Sequence, residues 1–187
     1  MRYLARDIGD HDNVARVVGV HVLTPLVTFV VSEVYSQTLG AFCGQDVADE
    51  HARIITTQIA RALDFAHQSG HVHGALAPDV IYIDDRLRVK VGDFGLDHPN
   101  ALPYRAPEVC MERYPPCSPC DVWSLACLVV HIWDPYQREP IEALIDCEPP
   151  ALEFATVLMR YDPRKRPSMR DVLSLPLISK YAELTVQ

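Results

Sequence analysis

The stretch HVHGALAPDVIYIDDRLRVKVGDFG, residues 71–95, decides the fold that the sequence predicts. Two short apolar segments, residues 80–83 and 87–91, flank the polar residues 84–86. Alternating apolar and polar side chains on both sides of a polar turn are typical of a β-hairpin. We therefore predict two paired strands, followed at once by the tripeptide Asp-Phe-Gly at residues 93–95.

Upstream of this stretch the sequence predicts a long helix preceded by two strands. Residues 44–69 place apolar side chains at helical spacing on one face, with Asp46 as a suitable N-cap and Gly70 at the end. Residues 14–20 and 26–34 are rich in Val and Phe, which favours strands joined by a turn.

Downstream, residues 99–119 are rich in proline and are predicted to form an ordered loop. A helix should follow, with Ser118 as its N-cap and Pro119 in its first position. Its residues are apolar almost all round, as in a buried central helix. Residues 152–159 predict another helix, and residues 168–171 form a capping box for a last one. The prediction is an α+β fold with a mostly helical body.

Composition limits the classes of function. The chain has 187 residues, 49% hydrophobic and 22% charged, and a net charge of -8. An acidic chain without a basic face predicts no nucleic-acid partner. We see no secretory leader, and the longest apolar run, residues 122–133, is shorter than the roughly 18 residues of a membrane span. Six irregularly spaced cysteines without an export signal then indicate reduced thiols and a cytoplasmic protein.

Five short strings, taken in order, resemble the signature set of eukaryotic protein kinases. They lie at residues 58–73, 91–95, 104–108, 121–124 and 162–168. The Tyr-Arg-Ala-Pro-Glu string at 104–108 is similar to that of one group of Ser/Thr kinases. The resemblance covers essentially the whole chain. It implies one kinase-like domain, with a remnant of the small-lobe sheet in residues 1–34 and the large lobe in residues 35–187.

The resemblance implies structural roles for Phe94, Gly95, Glu108, Asp121 and Arg166. Glu108 and Arg166 would form a buried ion pair, of the kind whose disruption costs about 3–5 kcal/mol. Asp121 would accept hydrogen bonds from the backbone of the catalytic loop, and Phe94 would stack on His73. The alternative is that Glu108 and Arg166 are unpaired surface charges.

The same resemblance indicates that the catalytic chemistry is missing. The family pattern His-Arg-Asp-Leu-Lys-Pro-Glu-Asn reads His-Gly-Ala-Leu-Ala-Pro-Asp-Val at residues 73–80. Phosphoryl transfer depends on positioning and charge stabilisation, and the replaced residues supply both in the family. The resemblance thus implies a degenerate loop that keeps His73. In it, Gly74 replaces the family's Arg, Ala75 the base, Ala77 the phosphate-binding Lys and Val80 a metal-binding Asn. Outside the loop, Ala101 replaces a Thr before Ala-Pro-Glu.

Nucleotide binding is also doubtful on this resemblance. Asp93 could bind a single Mg²⁺, and a hinge for adenine would be Glu33, Val34 and Tyr35, after Ser32 as gatekeeper. No Gly-rich loop or strand Lys precedes them in the sequence. We expect no cofactor, with ATP and Mg²⁺ relevant only if residual binding persists.

These features predict a pseudokinase that acts as a scaffold or allosteric partner of another protein, such as an active kinase. The alternatives are residual ATP-binding or phosphotransferase activity, or a fragment of a longer kinase. Strand 26–34 would lack a neighbour on one edge, which predicts self-association or strand addition by a partner. A single Cys-x-x-Cys at residues 117–120, with Cys110 upstream, is weak evidence for zinc. Residues 96–105 contain one hydroxyl side chain, Tyr104, and so no Ser or Thr to phosphorylate.

Overall fold

A computed structural model describes residues 8–24, 27–43, 47–111, 115–134, 136 and 139–182. Its secondary structure confirms the α+β prediction. Two small antiparallel sheets stand beside a body of helices, and the described strands are β1 (Val17–Thr24), β2 (Val27–Ser32), β3 (Gln37–Thr38), β4 (Ile81–Ile83) and β5 (Val89–Val91).

The first sheet consists of β1 and β2, in antiparallel register from Val17 opposite Ser32 to Thr24 opposite Val27. The predicted strand bounds of 14–20 and 26–34 were wrong at most ends. Val14 instead forms an isolated parallel bridge with Val91, which ties the start of this segment to the second sheet. Pro25 of the predicted turn and Leu26, the first residue of the second predicted strand, lie outside the described residues.

The second sheet has the order β3-β4-β5 and contains the predicted hairpin. Asp84 closes its turn, since one carboxylate oxygen accepts from the backbone N–H groups of Arg86 and Arg88 at 2.9 and 3.0 Å. The two-residue strand β3 was not predicted. Two residues are too few for an alternating pattern to reveal a strand.

The described helices are α1 (Leu39–Phe42), α2 (Asp49–Gln68), α3 (Pro107–Cys110), α4 (Ser118–Trp133), α5 (Pro140–Ala143), α6 (Pro149–Leu158), α7 (Met169–Val172) and α8 (Ser179–Ala182). Short 3-10 helices cover Pro78–Val80, Pro99–Tyr104, Leu144–Asp146 and Pro163–Lys165. No described helix is both long and apolar enough to cross a membrane.

Several helix boundaries differ from the predicted ones. The long helix α2 begins at Asp49 after Ala48, and the predicted cap Asp46 lies outside the described residues. The N-cap of α4 is Cys117 rather than Ser118, which is already helical. The proline-rich segment predicted as a loop contains two helical pieces, because proline is well tolerated in a first helical turn. The capping box of Ser168 and Asp171 is confirmed.

The core is centred on α4, which packs against α2, α5 and α6. Its residues are buried on almost every face, as its apolar sequence predicts. The facing side of α2 contributes Ile55, Ile59 and Leu63, none of which retains measurable exposure. Asp121 enters the core from the first turn of α4, and it positions the loop between α2 and β4.

Candidate functional site

Asp121 holds the loop that contains residues 73–80. One of its oxygens, Oδ1, accepts from the N–H of Gly74 at 2.8 Å. The other, Oδ2, accepts from the N–H of His73 at 2.9 Å and lies 2.8 Å from Nε2 of His67. The carboxylate is 1% exposed. The loop backbone is therefore anchored to the central helix, as predicted, and His67 is a third partner that the sequence analysis did not assign.

His73 is fully enclosed and joins three parts of the site. Its Nδ1 accepts from the N–H of Ala75 at 3.3 Å, so Nε2 carries the proton and donates to the carbonyl of Gly92 at 2.8 Å. The ring packs on Phe94, with centroids 4.7 Å apart. Burial lowers the pKa of His73, in keeping with a neutral ring that has a structural role.

Gly74 occupies the position of the family's Arg and has a backbone that excludes a side chain. Its φ of +80° is one that L residues adopt at a cost. A Cβ built on it would lie 2.9 Å from Cβ of Pro116. An arginine at residue 74 would therefore require both the loop and the segment before α4 to move.

The other replaced positions are packed inside the hydrophobic core. Ala75 is 4% exposed, and Ala77, Val80 and Ala101 are at most 1% exposed. All four belong to one cluster of buried apolar residues. Their side chains can neither accept a proton nor ligate a cation, and charged residues in their place would be buried without solvent.

Asp93 and Gly95 form a tight turn directly after β5. Both have positive φ, 56° and 70°. The N–H of Gly95 donates to the carbonyl of His73 at 3.1 Å, and the N–H of Leu96 donates to the carbonyl of Asp93 at 3.0 Å. The tripeptide thus has a clear role in fixing the backbone. A single partly buried carboxylate is a poor fit to Mg²⁺, which prefers six oxygen ligands in octahedral geometry.

The space beside Asp93 is small. A cavity of about 10 Å³ lies there, lined among others by Ser32, Tyr82, Gly92 and Asp93. This is about the volume that one water molecule needs, whereas ligand pockets typically measure about 300–1,000 Å³. The ring of Tyr82 packs directly against Gly92, since a Cβ built on Gly92 would lie 2.7 Å from Cε2 of Tyr82.

The three hinge candidates, Glu33, Val34 and Tyr35, lie along one groove that is separate from the loop of residues 73–80. Tyr35 stacks on Tyr82 with ring centroids 4.6 Å apart, and Val34 is 98% exposed. A groove of about 520 Å³ passes the hinge and is lined by charged side chains, including those of Arg61 and Arg88. Neither Asp93 nor residues 73–80 line it, so a molecule bound there would meet the hinge candidates but not the loop or the possible Mg²⁺ ligand.

The hydroxyl of Tyr104 is also buried. It lies 3.3 Å from Nδ1 of His131, and the residue is 7% exposed. Burial raises the pKa of this phenol. Ser124 donates its hydroxyl proton to the Tyr104 carbonyl at 2.8 Å, which fixes the same segment on α4. The one hydroxyl in residues 96–105 therefore faces the core.

The ion pair expected between Glu108 and Arg166 is present, so the alternative of unpaired surface charges is wrong. Arg166 donates from Nη1 to Oε1 at 2.6 Å and from Nη2 to Oε2 at 2.8 Å. Its guanidinium also donates to the carbonyls of Arg160 and Pro119, and its side chain is completely buried. Burial alone would raise the pKa of Glu108, but the hydrogen bonds from Arg166 outweigh it and lower the pKa.

The cysteine pair considered for zinc lacks a third ligand in the described part of the chain. Sγ of Cys117 and Sγ of Cys120 are 3.0 Å apart, while Cys110 is exposed and its Sγ lies 3.9 Å from the Arg105 carbonyl. No group of three His, Cys, Asp or Glu side chains that could hold a metal ion occurs among the described residues.

The fold and this arrangement of motifs define a protein kinase-like chain. A family model described as protein kinase domain matches residues 3–178, and the chain belongs to this family. The loop of residues 73–80, the turn at residues 93–95 and the ion pair of α3 lie within the matched segment.

Curated relatives are kinases of known classes. The chain is 37% identical over 106 residues to a cyclin-dependent kinase 4 homolog of Caenorhabditis elegans, covering 51% of this chain and 25% of the relative. It is 28% identical over 97 residues to mitogen-activated protein kinase p38b of Drosophila melanogaster, covering 47% and 27%. Mitogen-activated protein kinase 11 of Arabidopsis thaliana is 24% identical over 155 residues, covering 71% and 40%. The chain thus spans about a quarter to two fifths of the length of these relatives.

Proposed function

We propose that this protein is a catalytically inactive member of the protein kinase family that acts by binding a protein partner. One observation carries the proposal: Ala75, at the position of the catalytic base, is a methyl side chain with 4% exposure. It cannot accept the proton of a substrate hydroxyl, a function worth roughly 10²–10⁴-fold in rate. Ala77 and Val80, equally buried, replace the phosphate-binding Lys and the metal-binding Asn.

The nucleotide site supports the same proposal. The cavity of about 10 Å³ beside Asp93 is too small for ATP, and Tyr82, on which Tyr35 stacks, forms part of its wall. We therefore propose that neither ATP nor Mg²⁺ serves as a cofactor. The buried hydroxyl of Tyr104 supports a further proposal, that phosphorylation of this segment is not a switch.

The decisive test combines activity with stability in the 187-residue chain. We expect no Mg²⁺-dependent phosphate transfer to a general kinase substrate and no thermal shift with millimolar ATP and Mg²⁺. Ala75→Asp should remain inactive, since restoring the carboxylate does not restore the nucleotide site. Robust phosphate transfer by the unmodified chain, abolished by removal of Mg²⁺, would overturn the proposal.

The same variant tests whether residue 75 lies in the core or in an open cleft. A buried, unpaired carboxylate has a raised pKa, so Ala75→Asp should lose stability as pH rises above the ordinary Asp value of about 3.9. Ala75→Asn is the matched control because its amide has nearly the same shape and does not titrate. If both variants lose the same stability at pH 4 and pH 8, the residue faces solvent and the argument from burial fails.

The partner surface that we propose is the sheet of β1 and β2. In the described part of the chain each of these strands has one neighbour, so each has an open edge. Val18, Val22, Phe29 and Val31 are all more than 40% exposed on it. Open edges with apolar side chains favour pairing with a further strand, and we propose that a partner protein or a second copy supplies it.

Light scattering coupled to size-exclusion chromatography tests this surface. The unmodified chain should self-associate as its concentration rises, whereas a Phe29→Lys, Val31→Lys variant on β2 should not, because edge lysines discourage strand pairing. Glu153→Lys on α6, an exposed site away from the sheet, controls for the change in charge. A monodisperse monomer at high concentration, without any lysine change, would contradict the proposal.

A second candidate is that the chain is a segment of a longer kinase. The match covers only about a quarter of the first relatives, which favours this reading. Under this second proposal, residues 1–34 and 35–187 would be parts of the two lobes of one catalytic domain. Sequencing of transcripts that extend upstream would decide: a Gly-rich loop and a strand Lys in frame support the segment. An extended chain would still contain Ala75, so catalysis by it must be measured separately.

A further inference from the structure

Two cysteines meet at the N-terminus of the central helix. Cys117 is the N-cap of α4 and Cys120 lies in its first turn, with the N–H of Cys120 donating to the carbonyl of Cys117 at 2.8 Å. Residues three apart on a helix face the same side, and here the two sulfur atoms are 3.0 Å apart. A disulfide requires about 2.05 Å between sulfurs, so the two need to approach by only about 1 Å.

The two thiols differ in accessibility in the way that a reactive pair requires. Cys117 is partly exposed, whereas Cys120 is 3% exposed. Burial raises the pKa of Cys120, which favours its protonated form. Cys117 is thus the sulfur that an external oxidant reaches, and Cys120 is the one in position to react with it afterwards.

A second contact connects this pair to the ion pair of α3. The thiol of Cys120 donates to Oε1 of Glu108 at 3.4 Å, and the same oxygen accepts from Arg166 at 2.6 Å. Loss of the thiol proton would remove one of the hydrogen-bond donors to this buried carboxylate. The oxidation state of the cysteines therefore bears directly on the contact that joins α3 to the segment before α7.

We infer that Cys117 and Cys120 are a redox-modification site, oxidised by hydrogen peroxide to a reversible disulfide. The Cys117 thiolate attacks one peroxide oxygen, the O–O bond breaks, and the hydroxide released takes up the former thiol proton to give water. The resulting sulfenic acid is attacked by Cys120. Its S–O bond breaks, the S–S bond forms, and the Cys120 proton leaves with the hydroxide as a second water. Two thiols and one peroxide thus give one disulfide and two waters.

Mass spectrometry of the intact 187-residue chain tests this inference. The reduced protein is treated with hydrogen peroxide, and its remaining thiols are alkylated. Cleavage after Arg113 and after Trp123 then releases residues 114–123, which contain Cys117 and Cys120 but neither Cys110 nor Cys127. We expect the peptide with both cysteines to lose two hydrogens, and dithiothreitol to restore them. Cys110→Ser and Cys127→Ser should behave like the unmodified chain, since neither residue belongs to the pair.

The single variants of the pair distinguish the two roles. Cys120→Ser should stop at the sulfenic acid of Cys117, which dimedone captures, whereas the unmodified chain should yield little dimedone adduct. Cys117→Ser should abolish both products. The inference is overturned if the unmodified chain accumulates the dimedone adduct instead of the disulfide, or if Cys110 is oxidised while the pair stays reduced. Neither result depends on the proposed loss of kinase activity.

Discussion

Three apolar side chains of the loop, Ala75, Ala77 and Val80, and the carboxylates of Asp121 and Glu108 are similarly buried, yet they differ completely in polarity. Ala75, Ala77 and Val80 present only hydrocarbon, whereas Asp121 and Glu108 are ionisable groups at 1% and 6% exposure. Each of the two carboxylates has donors for both of its oxygens. Polar groups thus occur where they hold the backbone or pair with Arg166, and they are missing where the family's chemistry would act on a substrate. The contrast separates the requirements of the fold from those of catalysis.

The largest effect that this contrast predicts follows from removing one partner of the ion pair. Arg166→Met leaves the Glu108 carboxylate buried without its guanidinium, and it also removes the donors to Arg160 and Pro119. We expect a loss of about 3–5 kcal/mol in the free energy of unfolding, measured by urea denaturation.

Arg164→Met is the matched control for this change. The side chain of Arg164 is 89% exposed and pairs with Asp162 at 3.0 Å. Exposed ion pairs contribute about 0–1 kcal/mol, so the control should retain nearly all of its stability. Equal losses in the two variants would show that burial does not distinguish the pairs, and the contrast would then have no energetic basis.

The lowered pKa of Glu108 predicts that the folded state loses stability at acidic pH. Because its pKa is lowered in the folded state, the pair contributes stability above the usual Glu value of 4.5, and this stability is lost as pH falls through the lower, folded pKa. Glu108→Gln should be less stable than the unmodified chain at pH 7, and the difference should shrink below about pH 4. A difference that stays constant between pH 7 and pH 3 would contradict this.

Asp121 predicts the next largest effect. Asp121→Asn keeps one oxygen but places an amide NH₂ opposite an N–H of the loop, either that of His73 or that of Gly74. Loss of a hydrogen bond to a charged group costs about 1.5–3 kcal/mol. Hydrogen exchange at the amides of His73 and Gly74 should accelerate more than at Ile55 in α2, which lies outside the contact. Uniform acceleration would mean that Asp121 supports the whole domain rather than this loop.

Much of the site could be predicted because the family motifs specify contacts between side chains as well as catalytic residues. Asp121 and the pair of Glu108 with Arg166 follow from the family pattern, and the structure contains both contacts. The hairpin around Asp84 followed from alternation and a polar turn alone. Such features depend on residues close in sequence or on strings recognisable by themselves.

The remaining features depend on tertiary packing that no local pattern encodes. The stack of Tyr35 on Tyr82 joins residues 47 positions apart, and no local pattern in the sequence predicts this contact. The contact of His67 with Asp121 has no motif of its own, although a His in the last turn of α2 was visible. The proline-rich segment was predicted as a loop because proline usually interrupts helices, but here it starts them.

The smallest predicted effect concerns the backbone of the degenerate loop. Two glycines allow its conformational and steric costs to be measured separately. Gly74 and Gly70 have nearly the same positive φ, 80° and 77°. A Cβ on Gly74 would meet Pro116 at 2.9 Å, whereas a Cβ on Gly70 would meet nothing within 4 Å.

Gly70→Ala therefore measures the conformational cost alone, about 1–2 kcal/mol, and Gly74→Ala adds the steric conflict with Pro116. We expect Gly74→Ala to be the less stable variant in urea denaturation, and Pro116→Ala in the same chain to recover part of the difference. Equal losses would indicate that the loop moves away from Pro116 at little cost. The family's Arg could then be accommodated at residue 74, and the geometry of this loop would no longer distinguish the chain from a catalytic kinase.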